Sequence, residues 1–177
     1  MTHYRRDRMP GGTWFFTVNL ADRRYCLLVE QVALLKTAFA YVRDRHPFKI
    51  ESIVVLPDHL HAIWTLPPGD AGYPLRWRLI KATFSRGLAG GEPRSRSRTS
   101  AGERGIWQRR YWEHRIRDEE DFMRHVDYIH FNPVKHGHVA RVVDWPWSSF
   151  HRYVRRGVLP ADWAGDASDA HEFGERK

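Results

Sequence analysis

His59 and His61 stand two residues apart in the run His59-Leu60-His61-Ala62-Ile63-Trp64-Thr65-Leu66, which reads as a β-strand. Side chains two apart on a strand leave the same face, so both imidazoles point one way. Two neutral imidazoles on one face can clamp a divalent cation. The same spacing also suits two histidines on an exposed sheet face. The second candidate is Tyr128, in Asp127-Tyr128-Ile129-His130-Phe131-Asn132-Pro133-Val134-Lys135. Helical spacing puts Arg124, Tyr128 and Asn132 on one stripe, apart from the apolar stripe of Phe122, Val126 and Ile129. On that reading Tyr128 faces solvent or a cleft; the alternative is a half-buried tyrosine packing by its ring. A phenol with a pKa of ~10 becomes a useful nucleophile only with help from neighbouring groups.

Charge indicates what such a site would act on. The chain carries a net charge of +8, and residues 76–117 hold 12 basic and 3 acidic residues against 17 and 18 elsewhere. All the excess positive charge therefore lies in one middle segment, the footprint of a polyanion partner, usually nucleic acid. Arg76, Arg78, Lys81, Arg94, Arg96, Arg98, Arg104, Arg109 and Arg110 are the candidate DNA-contacting residues. Aromatics interleave with them: Trp77 lies between Arg76 and Arg78, and Trp107-Gln108-Arg109-Arg110-Tyr111-Trp112 follows. Cations beside stacking platforms suit single-stranded nucleic acid better than a closed duplex. A solvated basic loop is the competing account of the same charge.

The elements that must position these residues follow from periodicity. Strands are expected over 13–20, 50–56, 59–66 and 110–117, with the second and third joined as a hairpin by the Pro57-Asp58 turn. Helices are expected over 30–45, 75–88 and from Asp118 to about Phe131, the last opened by acidic residues that favour the positive end of a helix dipole. The order strand, helix, strand, strand, helix, strand is that of the ferredoxin-like split βαβ arrangement. An α+β fold follows, an antiparallel sheet with helices on one face and a C-terminal apolar tail. One domain spans 1–163, with a mobile basic insert at about 87–105 and a polar tail at 164–177. The single cysteine, Cys26, excludes an intrachain disulfide and a cysteine-rich zinc site. With no run long enough to span a bilayer and no apolar leader pattern at the N-terminus, the expectation is a cytoplasmic protein without a membrane partner.

Several ordered motifs together resemble one family. Pro57-Asp58-His59-Leu60-His61, then Trp107, then Tyr111-Trp112-Glu113-His114-Arg115, then Tyr128-Ile129-His130-Phe131-Asn132-Pro133-Val134 look like the signature of REP-associated tyrosine transposases. That family belongs to the HUH single-strand transposases. The run Asp144-Trp145-Pro146-Trp147-Ser148-Ser149-Phe150 also resembles it. The likeness extends from about residue 8 to 163. It implies a ferredoxin-like fold in which the two-histidine strand faces the tyrosine helix. It also implies that Tyr128 attacks a DNA phosphate, leaving a 5′-phosphotyrosine and a free 3′-hydroxyl. His59 and His61 would hold Mg²⁺ or Mn²⁺, and the third ligand would be Asn132, one turn after the tyrosine. Asn132 before Pro133 could equally cap a helix. Asp58 could orient a histidine or simply make its turn. Glu113, His114, His125 and His130 are left to salt bridges and surface positions. By resemblance the partner is single-stranded hairpin DNA, REP-like palindromes beside a short recognition sequence. A monomer with its tyrosine helix packed in cis is expected rather than a helix-exchanging dimer.

Two other classes fit parts of this pattern. A replication initiator or relaxase shares the histidine pair and tyrosine but matches the motif order and the Asn-Pro-Val run less well. A non-catalytic nucleic-acid binder on a ferredoxin-like sheet would carry stacking aromatics where this chain has histidines.

Overall fold

A computed structural model describes residues 9–90 and 95–165. Four strands form one antiparallel sheet in the order β2-β3-β1-β4: β1 (Thr13–Asn19), β2 (Lys49–Val55), β3 (His59–Thr65) and β4 (Trp112–Arg115). This is the split βαβ order. The β-branched and aromatic content of β1 makes it a natural central strand, and it pairs with β3 on one side and β4 on the other. Alternation then sorts its side chains. Trp14, Phe16 and Val18 join Leu60, Ala62 and Trp64 in one core, while Phe15 joins Ile63 in a second.

The first core lies beneath α2 (Val32–Arg45), which follows the one-turn α1 (Leu27–Glu30), and α3 (Tyr73–Gly87). These connecting helices share one face, as expected. The second core lies under α5 (Glu119–Lys135), which packs on β2 and β3 from the opposite face, so the sheet is covered on both sides. The added layer has a physical reason: Phe15, Val54 and Ile63 form an apolar surface that needs a cover. No helix among the described residues is long and apolar enough to cross a membrane.

Several expectations need correction. Trp77 is not a stacking platform; it is fully buried, its ring lying 4.2 Å from that of Trp64 in a parallel stack. Arg76 is not a DNA contact, being only 3% exposed. Its guanidinium grips Asp70 at 2.6 and 3.0 Å and donates to the carbonyls of His46 and Pro47 at 3.1 and 2.7 Å. Arginine satisfies all these acceptors through one planar fork, which is why it is tolerated inside. The basic insert is not shapeless either. It contains α4 (Arg96–Ser100), and Arg104 donates to the carbonyls of Ser85, Leu88 and Ala89 at the end of α3. Arg94 lies outside the described residues.

Helix α5 also runs further than expected, through Pro133 to Lys135. Proline removes only its own N–H from the ladder. The helix then closes on Gly137 at φ +70°, whose N–H reaches Val134 O while that of His138 reaches Pro133 O. Asn132 is therefore a mid-helix residue and not a cap.

The C-terminal segment, with a 3₁₀ turn (Val142–Asp144) and α6 (Phe150–Arg155), packs on the domain along the β2 edge. Val55 N donates to Trp147 O and Ser149 N to Ile53 O, each at 2.8 Å. Trp145 Nε1 donates to Val55 O at 3.0 Å. A bulge in β2 between Ile50 and Ser52 turns the Glu51 carbonyl toward α6, where Arg152 and the Tyr153 hydroxyl donate to it. Ser52, Ser149 and His130 form a buried hydrogen-bonded cluster joining this segment to α5.

His125 and His130 are thus interior residues, contrary to the surface position expected for them. Burial pushes His125 down to about 4, assisted by the charges of His114 and Arg124 and opposed by Asp121. Burial, with the charges of Arg152 and His151, pushes His130 down to about 3. Both are neutral when folded and bind protons more readily once the chain unfolds. Their contribution to stability is complete above the ordinary value of 6.5 and is lost as pH falls toward the folded values. Between pH 7 and about 4.5 each should cost on the order of 2 kcal/mol of stability. Urea unfolding at the two pH values checks this; equal midpoints would mean that neither histidine is held neutral.

Candidate active site at the start of β3

His59 and His61 emerge from β3 on the face covered by α5, and their rings lie 4.9 Å apart at 84°. Each is held through Nδ1. The antiparallel register places Thr17 opposite His61, and Thr17 Oγ1 lies 2.8 Å from His61 Nδ1. His59 Nδ1 pairs with Asp58 Oδ1 at 2.7 Å, and Arg23 Nε donates to Asp58 Oδ2 at 2.5 Å. Burial resists ionisation of Asp58, but hydrogen bonds from His59 and Arg23 outweigh it and hold the carboxyl at about 2. The acid is therefore a carboxylate that fixes the tautomer of His59, the role expected of an outer partner of a ligating histidine. With Nδ1 engaged on both rings, a cation would be bound through Nε2.

Helix α5 brings the rest. Tyr128 is only 6% exposed, its ring 5.1 Å from that of His61 and 6.0 Å from that of Phe15. Of the two surroundings expected for it, solvent or a cleft, it has the enclosed one: it lies between helix and sheet, because α5 packs over β2 and β3. Asn132, one turn on, is fully buried. His59 Nε2 and Asn132 Oδ1 are both enclosed. A nitrogen–nitrogen–oxygen donor set of this kind suits a borderline or hard divalent ion and no soft one.

Lys135 and His136, which no sequence motif marked as site residues, also join the site. Lys135 Nζ lies 3.4 Å from the Tyr128 hydroxyl and 4.7 Å from its ring centroid, and the His136 ring lies 5.3 Å from that of His59. Their positions seven and eight residues after Tyr128 return them to its helical face, a signal present in the sequence. No such signal marks Thr17 or Arg23, whose partners come from other segments.

Among the described residues His114, Asp121 and His125 also bring ligand atoms within 4.8 Å of one another. The two rings stack parallel, 14° apart at 4.8 Å, so their in-plane lone pairs do not converge. Asp121 already accepts from His114 Nε2 at 2.8 Å and Arg117 N at 3.1 Å. His125 Nδ1 donates to the Asp121 carbonyl at 2.7 Å. This trio ties β4 to the first turns of α5. Glu113, on the opposite side of β4, is buried.

Four of the remaining basic candidates, Arg104 among them, line a cleft of about 870 Å³ between α3 and residues 102–111. Arg78, Lys81 and Arg109 line it, with Trp107 and Tyr111. Lys81 donates to Gln108 O at 3.0 Å, and Arg109 pairs with Glu103 at 2.8 Å. Arg78, Arg96 and Arg110 are exposed and Arg98 is half-buried. The sheet thus stands between a histidine-tyrosine site on the α5 side and a basic cleft beside α3.

No protein-family profile matches the chain. It is 50% identical over 176 residues to the REP-associated tyrosine transposase of Escherichia coli (strain K12), covering 99% of this chain and 98% of that one. The chain belongs to the REP-associated tyrosine transposases. A Haemophilus influenzae protein assigned to the same family is 44% identical, with 94% and 95% of the two chains covered. A solved REP-associated tyrosine transposase bound to a REP hairpin superposes with a TM-score of 0.86 at 49% identity, over 100% of this chain and 99% of that one. The agreement reaches the whole α+β fold, including the layer that α5 adds. In the transposase the run at residues 144–150 is scaffolding: it extends the β2 edge and, through Ser149 and His130, anchors the helix that carries Tyr128.

Proposed function

We propose that this transposase cuts and rejoins single-stranded DNA beside a REP-type hairpin, with Tyr128 as nucleophile and a divalent ion, Mg²⁺ or Mn²⁺, on His59, His61 and Asn132. The observation that carries this reading is the approach of the Tyr128 ring to 5.1 Å from His61, with Asn132 on the next turn of the same helix. The relative whose structure contains a REP hairpin supports the choice of DNA.

The tyrosine oxygen attacks phosphorus and the bond to the 3′-oxygen breaks. Tyr128 loses its proton to solvent, the departing 3′-oxygen gains one, and the 5′-phosphate stays on Tyr128. Because the phosphodiester energy is kept in that bond, a 3′-hydroxyl can reverse the step without ATP. A bound divalent ion would polarise the phosphate and stabilise the departing oxygen. Thr17 and Asp58 hold the two imidazoles in the orientation required for ligation, and the Lys135 ammonium adds positive charge beside the attacking oxygen. A tyrosine enclosed between helix and sheet favours a strand that can splay into the site over a rigid duplex. The C-terminal segment and the sheet hold α5 within its own chain, which supports a monomer acting in cis. The test is incubation with a hairpin oligonucleotide and Mg²⁺ or Mn²⁺, followed by a denaturing gel for a covalent protein–DNA adduct. No adduct with either metal would remove the reading.

Affinity is assigned to Arg78, Lys81, Arg96, Arg98, Arg104, Arg109 and Arg110. Each phosphate neutralised on single-stranded DNA contributes roughly 0.7 to the slope of log affinity against log salt. Changing Arg96, Arg98, Arg109 and Arg110 to serine should flatten that slope by up to ~3 units if all four make contacts. Binding titrations between low and moderate salt measure it. An unchanged slope would assign the charge to a solvated surface.

A further inference from the structure

Trp112 is 36% exposed on a strand whose neighbour Glu113 is buried, an unusual position for the largest apolar side chain. Among the described residues the other exposed aromatic side chains, Tyr25 and Tyr41, are on no strand, and Tyr41 is covered by the guanidinium of Arg45 at 3.8 Å. Trp112 stands in the row that holds the active site. Its register partner on β1 is Thr17, whose partner on β3 is His61. All three side chains project to the α5 face, since residues paired directly across an antiparallel sheet share a side.

The indole is also held firmly. Its ring is parallel to that of His114 within 6° at 5.8 Å and meets the Phe15 ring at 72° and 5.6 Å. His114 is in turn fixed by Asp121 Oδ2 at 2.8 Å and stacked on His125 at 14° and 4.8 Å. Trp112, His114 and His125 are thus successive near-parallel rings, graded from the exposed indole through the half-buried His114 to the fully buried His125. This arrangement explains a use for the His114–Asp121–His125 trio beyond joining two elements: it fixes the plane of the outermost ring.

Building on the single-stranded-DNA reading above, we infer that Trp112 is a stacking platform for one nucleobase of the strand flanking the scissile phosphate. Two strand spacings separate β4 from β3, roughly 10 Å, a span that an extended strand covers in one or two nucleotides. A phosphate at His59, His61 and Tyr128 therefore brings a neighbouring base within reach of the indole. Stacking recognises the π-face that every base has, so the platform sets position along the strand more than it reads sequence.

The test combines the protein change with its counterpart in the DNA. A ladder of hairpin oligonucleotides carries an abasic residue at successive flanking positions, and Kd and cleavage at saturating DNA are measured for the wild type, Trp112→Ala and Trp112→Phe. Trp112→Ala should weaken binding roughly 10- to 100-fold, and Trp112→Phe should retain most of the affinity. One abasic position should weaken the wild type comparably and cost Trp112→Ala nothing further. Non-additivity of that kind marks direct contact, and a merely structural role for the indole would not produce it. If no single abasic position weakens the wild type, or if its effect simply adds to that of Trp112→Ala, the platform is refuted. The binding cycle is independent of the chemistry: a wild type that binds with this pattern yet forms no adduct would refute the nuclease reading and leave the platform standing.

Discussion

Tyr128→Phe is expected to bind hairpin DNA with near-normal affinity and to form no covalent adduct. The substitution keeps the ring, and with it the contacts to His61 and Phe15 that seat α5 on the sheet. The hydroxyl is lost, and with it the 3.4 Å contact with Lys135, which should change stability by about 1 kcal/mol. The chemical effect is of another order. Without the attacking oxygen no phosphotyrosine can form, and any residual cleavage by water should be slower by at least about 10⁴-fold. The measurement is a single-turnover time course on a denaturing gel, with thermal unfolding to verify the fold. A phenylalanine variant that still cuts and becomes linked to DNA would place the nucleophile elsewhere.

The second large effect belongs to the histidine pair. His59→Ala should lower cleavage under limiting Mn²⁺ by on the order of 10³-fold, because charge stabilisation by a bound ion is worth several kcal/mol. DNA affinity should persist, since the basic cleft is separated from the pair by the sheet. His61→Ala should have the same catalytic effect with an added cost of about 1–3 kcal/mol in stability, because it leaves the buried Thr17 hydroxyl without its imidazole. His59→Ala should carry a comparable cost, because it strips the Asp58 carboxylate of its hydrogen bond from His59. Thr17→Val keeps both imidazoles but loses the hydroxyl that orients one, and should weaken Mn²⁺ binding by about 10- to 100-fold. Calorimetric titration with Mn²⁺ reads all three directly. Wild-type metal affinity in His59→Ala and His61→Ala would exclude this pair as the site.

Much of this was legible in the residue order because it depends on local periodicity. The two-residue spacing of His59 and His61 placed them on one face of a strand, and the Pro57-Asp58 turn defined the hairpin that β2 and β3 form. The order of strands and helices carried the split βαβ topology. The four-residue spacing of Tyr128 and Asn132 kept them on one helical face whatever that face was packed against. The motif order was specific enough to name the family.

Other features depended on which surfaces meet, and spacing along one element does not encode that. Arg76 looked like part of a basic patch until its neighbours were known; Asp70 and the carbonyls of His46 and Pro47 converge on it only when α3 docks beside the end of α2. Tyr128 and Asn132 lay on the polar stripe of their helix, yet the sheet beneath α5 presents histidines, so both are buried there together with Val126 and Ile129 of the apolar stripe. Thr17 acquired its role from β1–β3 register, and Lys135 and His136 entered the site because α5 continues through Pro133. The sequence by itself determined the element order, the chemistry available and the side of each element on which it stands. Tertiary structure decided which side is buried, which cations remain at the surface, and which groups orient the histidines, because those follow from packing between segments tens of residues apart.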